Sequence, residues 1–277
     1  MPLPFFTYGR EEYMMRILMV GDVVGKDGQD TLLYYLPKLK EKYHPDVVVV
    51  NGENSAPNGR GIKRQTVQKF FNAGADCITL GNHAWAQKEI FDFIDHEEAL
   101  IRPANFPEGT PGRGYVVLST RKGKVTIVNL LGRTFMTPMD CPFRTMDHIL
   151  DKIPPSVILV DFHAEATSEK LAFACYVDGK VSSVIGTHTH VQTADERILS
   201  RGTSYLSDVG MTGPAGGVIG MEKEAVIKRF ISQLPMRFEV AKGVCELNAV
   251  LVDIHAESGK STAIERIQIN ERKPFFD

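Results

Sequence analysis

Asp22, Glu53, Asn54, Asn82, His163, His188 and His190 together offer carboxylate, amide oxygen and imidazole, and no sulfur. Hard oxygen with borderline nitrogen suits Mn, Fe, Zn, Co or Ni better than a metal that prefers thiolate. One octahedral ion would take six ligands and leave no place for water. Seven candidates therefore point to two ions, with a carboxylate between them and open positions for solvent. Two-metal centres with ions ~3.5–4 Å apart are common where phosphoesters are cleaved.

Each residue also has a plainer reading when taken alone. Asp22 could cap the helix that follows it. Asn54 and Asn82, beside glycine and serine, could serve turn geometry. His163 could be a satisfied, partly buried histidine. What favours the metal reading is position, because every candidate follows directly on an apolar run. The HTH at 188–190 puts two imidazoles two residues apart, on one side of the chain if the backbone is extended.

The elements that must position these groups are short and apolar. RILMVG (16–21) ends at Asp22, VVVV (47–50) leads into NGEN, CITL (77–80) into GNH, VILVDFHAE carries His163, and VSSVIGTHTH carries His188 and His190. Continuous apolar runs of this length read as strands buried on both faces. Between them lie helical stretches at DTLLYYLPKLKEKY, where Pro37 should kink or interrupt the helix, and at QTVQKFFNAGA. Strand and helix alternating at this spacing imply βαβ units and a parallel sheet. Ligand crevices of such sheets lie beyond the strands' carboxyl ends. If all five strands join one sheet, the five polar tips share one rim. Further along, GYVVLST and KVTIVNLLG flank RKGK as a hairpin with Gly123 in the turn. TMDHILDKI and MEKEAVIKRFISQL read as helices, and CELNAVLVDIHAE and STAIERIQI as a second strand pair joined at ESGKS. One compact α/β domain over 16–277 is expected, preceded by a short extension, 1–15.

Composition narrows the class. Lys and Arg number 32 against 34 Asp and Glu, a net −2, which gives no general attraction for long nucleic acid or an anionic membrane. The four cysteines form no CxxC pair, which speaks against a thiolate zinc site or a disulfide framework; buried, reduced thiols are expected. No apolar run approaches the ~18 residues of a membrane span, and the N-terminus has acidic residues where a signal peptide would be apolar. A cytoplasmic protein is the expectation. GDVVGKDG is not GxGxxG, and an Asp directly after the first strand would repel a pyrophosphate. No GxSxG elbow is present.

In order, GD at Asp22, NGEN at Glu53 and Asn54, GNH at Asn82 and His83, the lone His163 and GTHTH at His188 and His190 resemble the motif series of the calcineurin-like metallophosphoesterases. Three departures mark a branch. Val24 stands where that superfamily usually has a histidine, Glu53 stands for the usual bridging aspartate, and Thr187 separates Gly186 from His188. With VNGEN and VDFHAEATSEK, these are similar to the YmdB-like branch of bacterial cyclic-nucleotide phosphodiesterases, from about Arg16 onward.

The resemblance implies a layered β-sheet core flanked by helices, with a dinuclear site at the strands' C-terminal ends. Asp22, Glu53, Asn54 and His190 would serve one metal, Glu53 would bridge, and Asn82, His163 and His188 would complete the second. Iron or manganese would be the metals and 2′,3′-cyclic nucleotides a substrate class, with 3′-nucleotides as products. Metal-activated hydroxide would attack phosphorus, and His83, next to a ligand but not itself one, would protonate the leaving oxygen as general acid. Its plainer alternative is a helix N-terminal histidine packed on Trp85. The resemblance also implies self-association. Two other readings stay open: a regulatory or scaffold protein in RNA turnover with structural metals, and a phosphomonoesterase or nuclease of the same superfamily.

Overall fold

A computed structural model describes residues 13–275. The chain runs β1 (Met14–Val20), β2 (Asp22–Val23), α1 (Gly25–Tyr43), β3 (Val47–Asn51), α2 (Arg64–Asn72), β4 (Cys77–Thr79) and β5 (Leu100–Ile101). It continues as β6 (Tyr115–Thr120), β7 (Gly123–Leu131), α3 (Pro142–Leu150), β8 (Val157–His163), α4 (Thr167–Val177), β9 (Ser183–Thr187), β10 (Arg197–Ile198), β11 (Ser204–Leu206), β12 (Met211–Pro214), α5 (Lys223–Ser232), β13 (Cys245–His255) and β14 (Ser261–Ile269). Met14 and Met15 of the expected extension already belong to β1, and residues 1–12 lie outside the described part.

The strands form two sheets, not one. The first has the order β2-β12-β13-β1-β3-β4-β5 with β14 on β13; the second has the order β10-β11-β9-β8-β7-β6. β1, β3, β4 and β5 are parallel, as are β7, β8, β9 and β11. The five apolar strands that carry the polar tips are therefore divided, three in the first sheet and two in the second. The reason lies in their two apolar faces. In β1, Leu18 and Val20 pack outward on Leu32, Leu36 and Leu39 of α1, while Ile17 and Met19 face inward. That inner face meets Val125, Ile127, Val157, Leu159 and Ile185 of the second sheet. The second sheet's other face, with Val128, Val160 and Phe162, packs on Met146 of α3 and Phe173 of α4. The result is four layers, helix on sheet on sheet on helix, and each fully buried Val, Leu or Ile contributes about 1.5–3 kcal/mol.

Several local expectations are revised. α1 runs unbroken through Pro37, which sits on its exposed face, where water can serve the carbonyl the ring leaves without a partner. The β6–β7 hairpin turns at Arg121 and Lys122; Gly123 already pairs with Thr120 and opens β7 at φ +126°. α4 has no counterpart in the sequence reading. The final hairpin is inserted into the first sheet, with β13 antiparallel to β1 from Met14↔His255 to Val20↔Ala249. Cys77 is buried as expected, whereas Cys141 and Cys245 are only half-buried and Cys175 is exposed on the outer side of α4. No helix among the described residues is long and apolar enough to cross a membrane.

Candidate metal centre

The inner face of each parallel strand is apolar along most of its length and turns polar at its C-terminal end. Alternation carries Val157 and Leu159 of β8 on to Asp161 and His163. In the same way Val47 and Val49 lead to Asn51, Cys77 to Thr79, and Ile185 to Thr187. These polar groups bind one another across the gap between the sheets. Asp161, fully buried, accepts from Asn51 Nδ2 at 3.0 Å and Thr79 Oγ1 at 2.5 Å on the first sheet, and from Thr187 Oγ1 at 2.7 Å on the second. Burial raises its pKa, although His163 and these donors oppose the shift. Asp161→Ala would leave three buried donors without their acceptor. The expected cost is at least ~2 kcal/mol, together with metal binding about 10–100-fold weaker. Urea unfolding and metal titration of the variant read both effects.

Asp161 also sets the state of His163. Thr187 spends its hydroxyl proton on Asp161, so His163 Nδ1–H donates to Thr187 Oγ1 at 2.8 Å. His163 Nε2 then faces Glu53 Oε1 at 3.0 Å, Asn82 Oδ1 at 2.9 Å and His188 Nδ1 at 3.0 Å. His188 is oriented by the same principle, with Nε2 on Glu165 Oε2 at 3.1 Å and Nδ1 turned inward. His190 Nδ1–H donates to the Ile219 carbonyl at 2.9 Å, and Nε2 has no hydrogen-bond partner among the described residues. Each imidazole thus spends one nitrogen on a partner outside the site, the usual arrangement for histidines that bind metals. Asp161 and Glu165, which flank His163, are the carboxylates the sequence offers for orienting an imidazole, without a place among the expected ligands; Thr187 and Ile219 are not singled out by the sequence for such a task. The face alternation in VILVDFH is the signal for Asp161.

The HTH segment is not extended. β9 ends at Thr187, and His188 and His190 sit at φ +101° and +66°, where residues other than glycine rarely go. Two ligand candidates therefore turn inward through strained backbone, not through strand alternation. A buried ion pair holds the turn. Lys170 Nζ of α4 donates to the Thr187 carbonyl at 2.8 Å and to Asp208 Oδ2 at 2.9 Å, and Asp208 Oδ2 also accepts the Thr189 N–H at 2.9 Å. Lys170 and Asp208 are 2% and 1% exposed, so neither charge has water to fall back on. Lys170→Met is expected to destabilise the fold by about 3–5 kcal/mol, because it strands a buried carboxylate. A urea midpoint indistinguishable from wild type would contradict this.

Glu53 is the centre of the cluster. Burial works against its charge, yet His163 and His83 hold its carboxyl well below the usual range. Burial likewise opposes a charge on His163, but Glu53, Asp22 and Asp161 outweigh it and raise the pKa to about 9. Burial and the neighbouring His163 pull His188 down to about 3, and burial pushes Asp22 up to about 6 against His190 and His163. Gly81 lets the groups approach this closely: a Cβ there would stand 2.3 Å from Glu53 Oε2 and 2.5 Å from His163 Nε2. His83 starts no helix, contrary to its plainer alternative. Its N–H donates to Glu53 Oε2 at 2.9 Å, and its Nδ1 lies 3.3 Å from Glu53 Oε1 and 3.2 Å from Asn82 Nδ2. The ring is 28% exposed, and Nε2 has no hydrogen-bond partner among the described residues.

These donors fit a cation. Three lone pairs face His163 Nε2, and a single proton there can satisfy one of them. Asp22 Oδ1 and Asn54 Oδ1 are buried without a hydrogen-bond partner among the described residues, a costly state for carboxylate and amide oxygens. Asp22 caps no helix; α1 begins at Gly25 with Val24 as its cap, and Asp22 Oδ2 accepts the His188 N–H at 3.2 Å. Asn54 spends its amide nitrogen on the Gly59 carbonyl at 2.9 Å, which ties the PNGRGI turn to the site and leaves Oδ1 free. Glu53, His163 and His188 bring ligand atoms within 4.8 Å of one another.

Sequence and structure comparisons point in one direction. The YmdB-like protein family matches residues 18–267. The 2′,3′-cyclic-nucleotide 2′-phosphodiesterase of Bacillus subtilis (strain 168) is 51% identical over 265 residues, which cover 95% of this chain and 100% of that protein. A crystal structure of a hypothetical protein from Thermus thermophilus matches 93% of this chain and 100% of its own at 41% identity and a TM-score of 0.88. A crystal structure described as a novel phosphatase from Mycoplasma pneumoniae matches 94% and 96% at 37% identity, also with a TM-score of 0.88.

Proposed function

The chain belongs to the YmdB-like family, and from that premise we propose that it is a metal-dependent phosphodiesterase that opens 2′,3′-cyclic nucleotides to 3′-nucleotides. The observation that supports it best is the pair of imidazoles beside Glu53, His163 and His188, each with one nitrogen spent outward and the other turned into the site. Asp22, Glu53, Asn54 and His190 would hold one ion and Asn82, His163 and His188 the other, with Glu53 shared. Iron or manganese bound there would lower the pKa of a water and neutralise charge on the phosphoryl oxygens.

The chain's own residues do the rest. Asp161, Thr187 and Glu165 fix the imidazoles and keep their inward nitrogens unprotonated when metal is bound. His83 stands at the open rim with Nε2 available. As water oxygen bonds to phosphorus, the bond from phosphorus to O2′ breaks, and His83 Nε2–H gives its proton to O2′. The phosphate stays on O3′. The test is hydrolysis of 2′,3′-cyclic AMP with added Mn²⁺ beside a chelated control, with the product identified. Metal-dependent release of 3′-AMP is expected. Release of 2′-AMP, or no turnover with both metals bound, would overturn the reading. Parallel rates on a phosphomonoester and on RNA separate it from a monoesterase or a nuclease.

A further inference from the structure

The loop 132–140 follows the C-terminal end of β7, where Leu131 pairs with His163 in the neighbouring strand. Its first residue is tied to the metal centre, since the Gly132 N–H donates to the His163 carbonyl at 2.9 Å. One buried side chain clasps both ends. Asn105 Oδ1 accepts the Leu131 N–H at 2.8 Å, and its Nδ2 donates to the carbonyls of Leu131 at 2.8 Å and Asp140 at 3.0 Å. Asn105 adjoins Phe106, whose ring packs edge-on against Trp85 at 5.5 Å, two residues beyond His83. The loop therefore spans the rim from His163 to the wall beside His83.

The base of this loop is hydrogen-bonded and its tip carries an unusual residue. Glu169 of α4 accepts the Arg133 N–H at 3.0 Å and the Thr134 N–H at 3.0 Å. The next residue, Phe135, sits at φ +60° and is 90% exposed. A bulky L side chain seldom adopts that backbone region, and a phenyl ring gains nothing from standing in water. Phe135 lies three positions beyond Gly132, a span of at most about 11 Å. The ring is thus within a nucleotide's reach of the metal centre.

We propose that Phe135 is the base-stacking platform of the substrate site, so that the enzyme recognises the nucleobase and not only the cyclic phosphate. This rests on the phosphodiesterase reading and adds to it a specificity residue. An aromatic face accepts any base, more strongly a purine than a pyrimidine, because stacking scales with ring overlap. The ring acts on binding, remote from the bonds that change, so its effect belongs in KM.

The experiment compares 2′,3′-cyclic AMP with the base-free methyl riboside 2′,3′-cyclic phosphate on wild type, Phe135→Ala and Phe135→Trp. Wild type should show a KM for the nucleotide at least ~10-fold lower than for the base-free diester, with similar kcat. Phe135→Ala should bring the two KM values together, and Phe135→Trp should restore the difference. Equal KM values in wild type, or a base preference that survives in Phe135→Ala, would overturn the proposal. Calorimetric binding of 3′-AMP against ribose 3-phosphate gives the same comparison without turnover. A base preference that appears in binding and depends on Phe135 would uphold the platform even if both diesters were left uncleaved, an outcome that would sink the proposed reaction alone.

Discussion

His83→Ala is expected to keep its full metal content and to lose roughly 10²–10⁴-fold in kcat on 2′,3′-cyclic AMP. Its Nδ1 rests against Glu53 and Asn82, and its Nε2 is left for the substrate. The leaving O2′ of a ribose is a poor leaving group, so an unprotonated departure is slow. The loss should shrink when the leaving group needs no proton. With bis(p-nitrophenyl) phosphate, His83→Ala should retain most of the wild-type rate. Equal losses on both diesters would mean that His83 acts through Glu53 or through phosphate binding. An unchanged rate on the nucleotide would remove it from the mechanism. Metal analysis separates both outcomes from simple damage to the site, because the lost ring also rests on Glu53, Nδ1 to Oε1 at 3.3 Å, while the backbone N–H that holds Oε2 is kept in the variant.

The polar tips were legible because strand direction needs only local information. RILMVG, VVVV and CITL each announce a buried strand, and whatever follows them stands at the carboxyl end. Asp22, Glu53, Asn82 and His163 are found that way. The distribution of those strands over two sheets was not legible, because an inner face of Ile17, Met19, Val47 and Val49 would pack equally well on helices. β13 entering beside β1 is a pairing across more than two hundred residues and leaves no local trace. α4 was missed because TSEKLAFACYV mixes polar and apolar side chains around its whole circumference, so no 3.6-residue stripe emerges. The HTH segment misled for a physical reason. Extended backbone is the default after a strand, and positive φ at histidine becomes tolerable only with the Lys170–Asp208 pair beneath it. Thr187, a departure from the superfamily pattern in sequence, acquires a task only once Asp161 is seen beside it.

Glu53→Gln should cost more metal than the roughly 10–100-fold loss of affinity that follows changes outside the ligand set. The substitution preserves size and replaces a charge by a dipole at the one residue both ions would share. The wild-type carboxylate is 1% exposed, so no water can stand in for the missing oxygen charge. The new amide also brings donors to face His163 Nε2, and the His83 N–H keeps only one oxygen to bind. A second readout needs no metal at all. In chelated wild type, Glu53 does most to hold His163 near pKa 9 against the burial that would lower it. A histidine raised in this way contributes stability that is fully present below its unfolded value of ~6.5 and is lost as pH rises through its folded value. Asp22, at about 6, has largely titrated before that window opens. Metal-free wild type should therefore lose stability between roughly pH 6.5 and 9, while metal-free Glu53→Gln should stay flat over the same range. The two measurements probe one cause: a buried negative charge that draws in a proton when metal is absent and divalent ions when they are present. A Glu53→Gln protein that bound both metals at wild-type affinity would remove the bridging role, and a pH slope unchanged from wild type would place the charge that holds His163 on Asp22 or Asp161 instead.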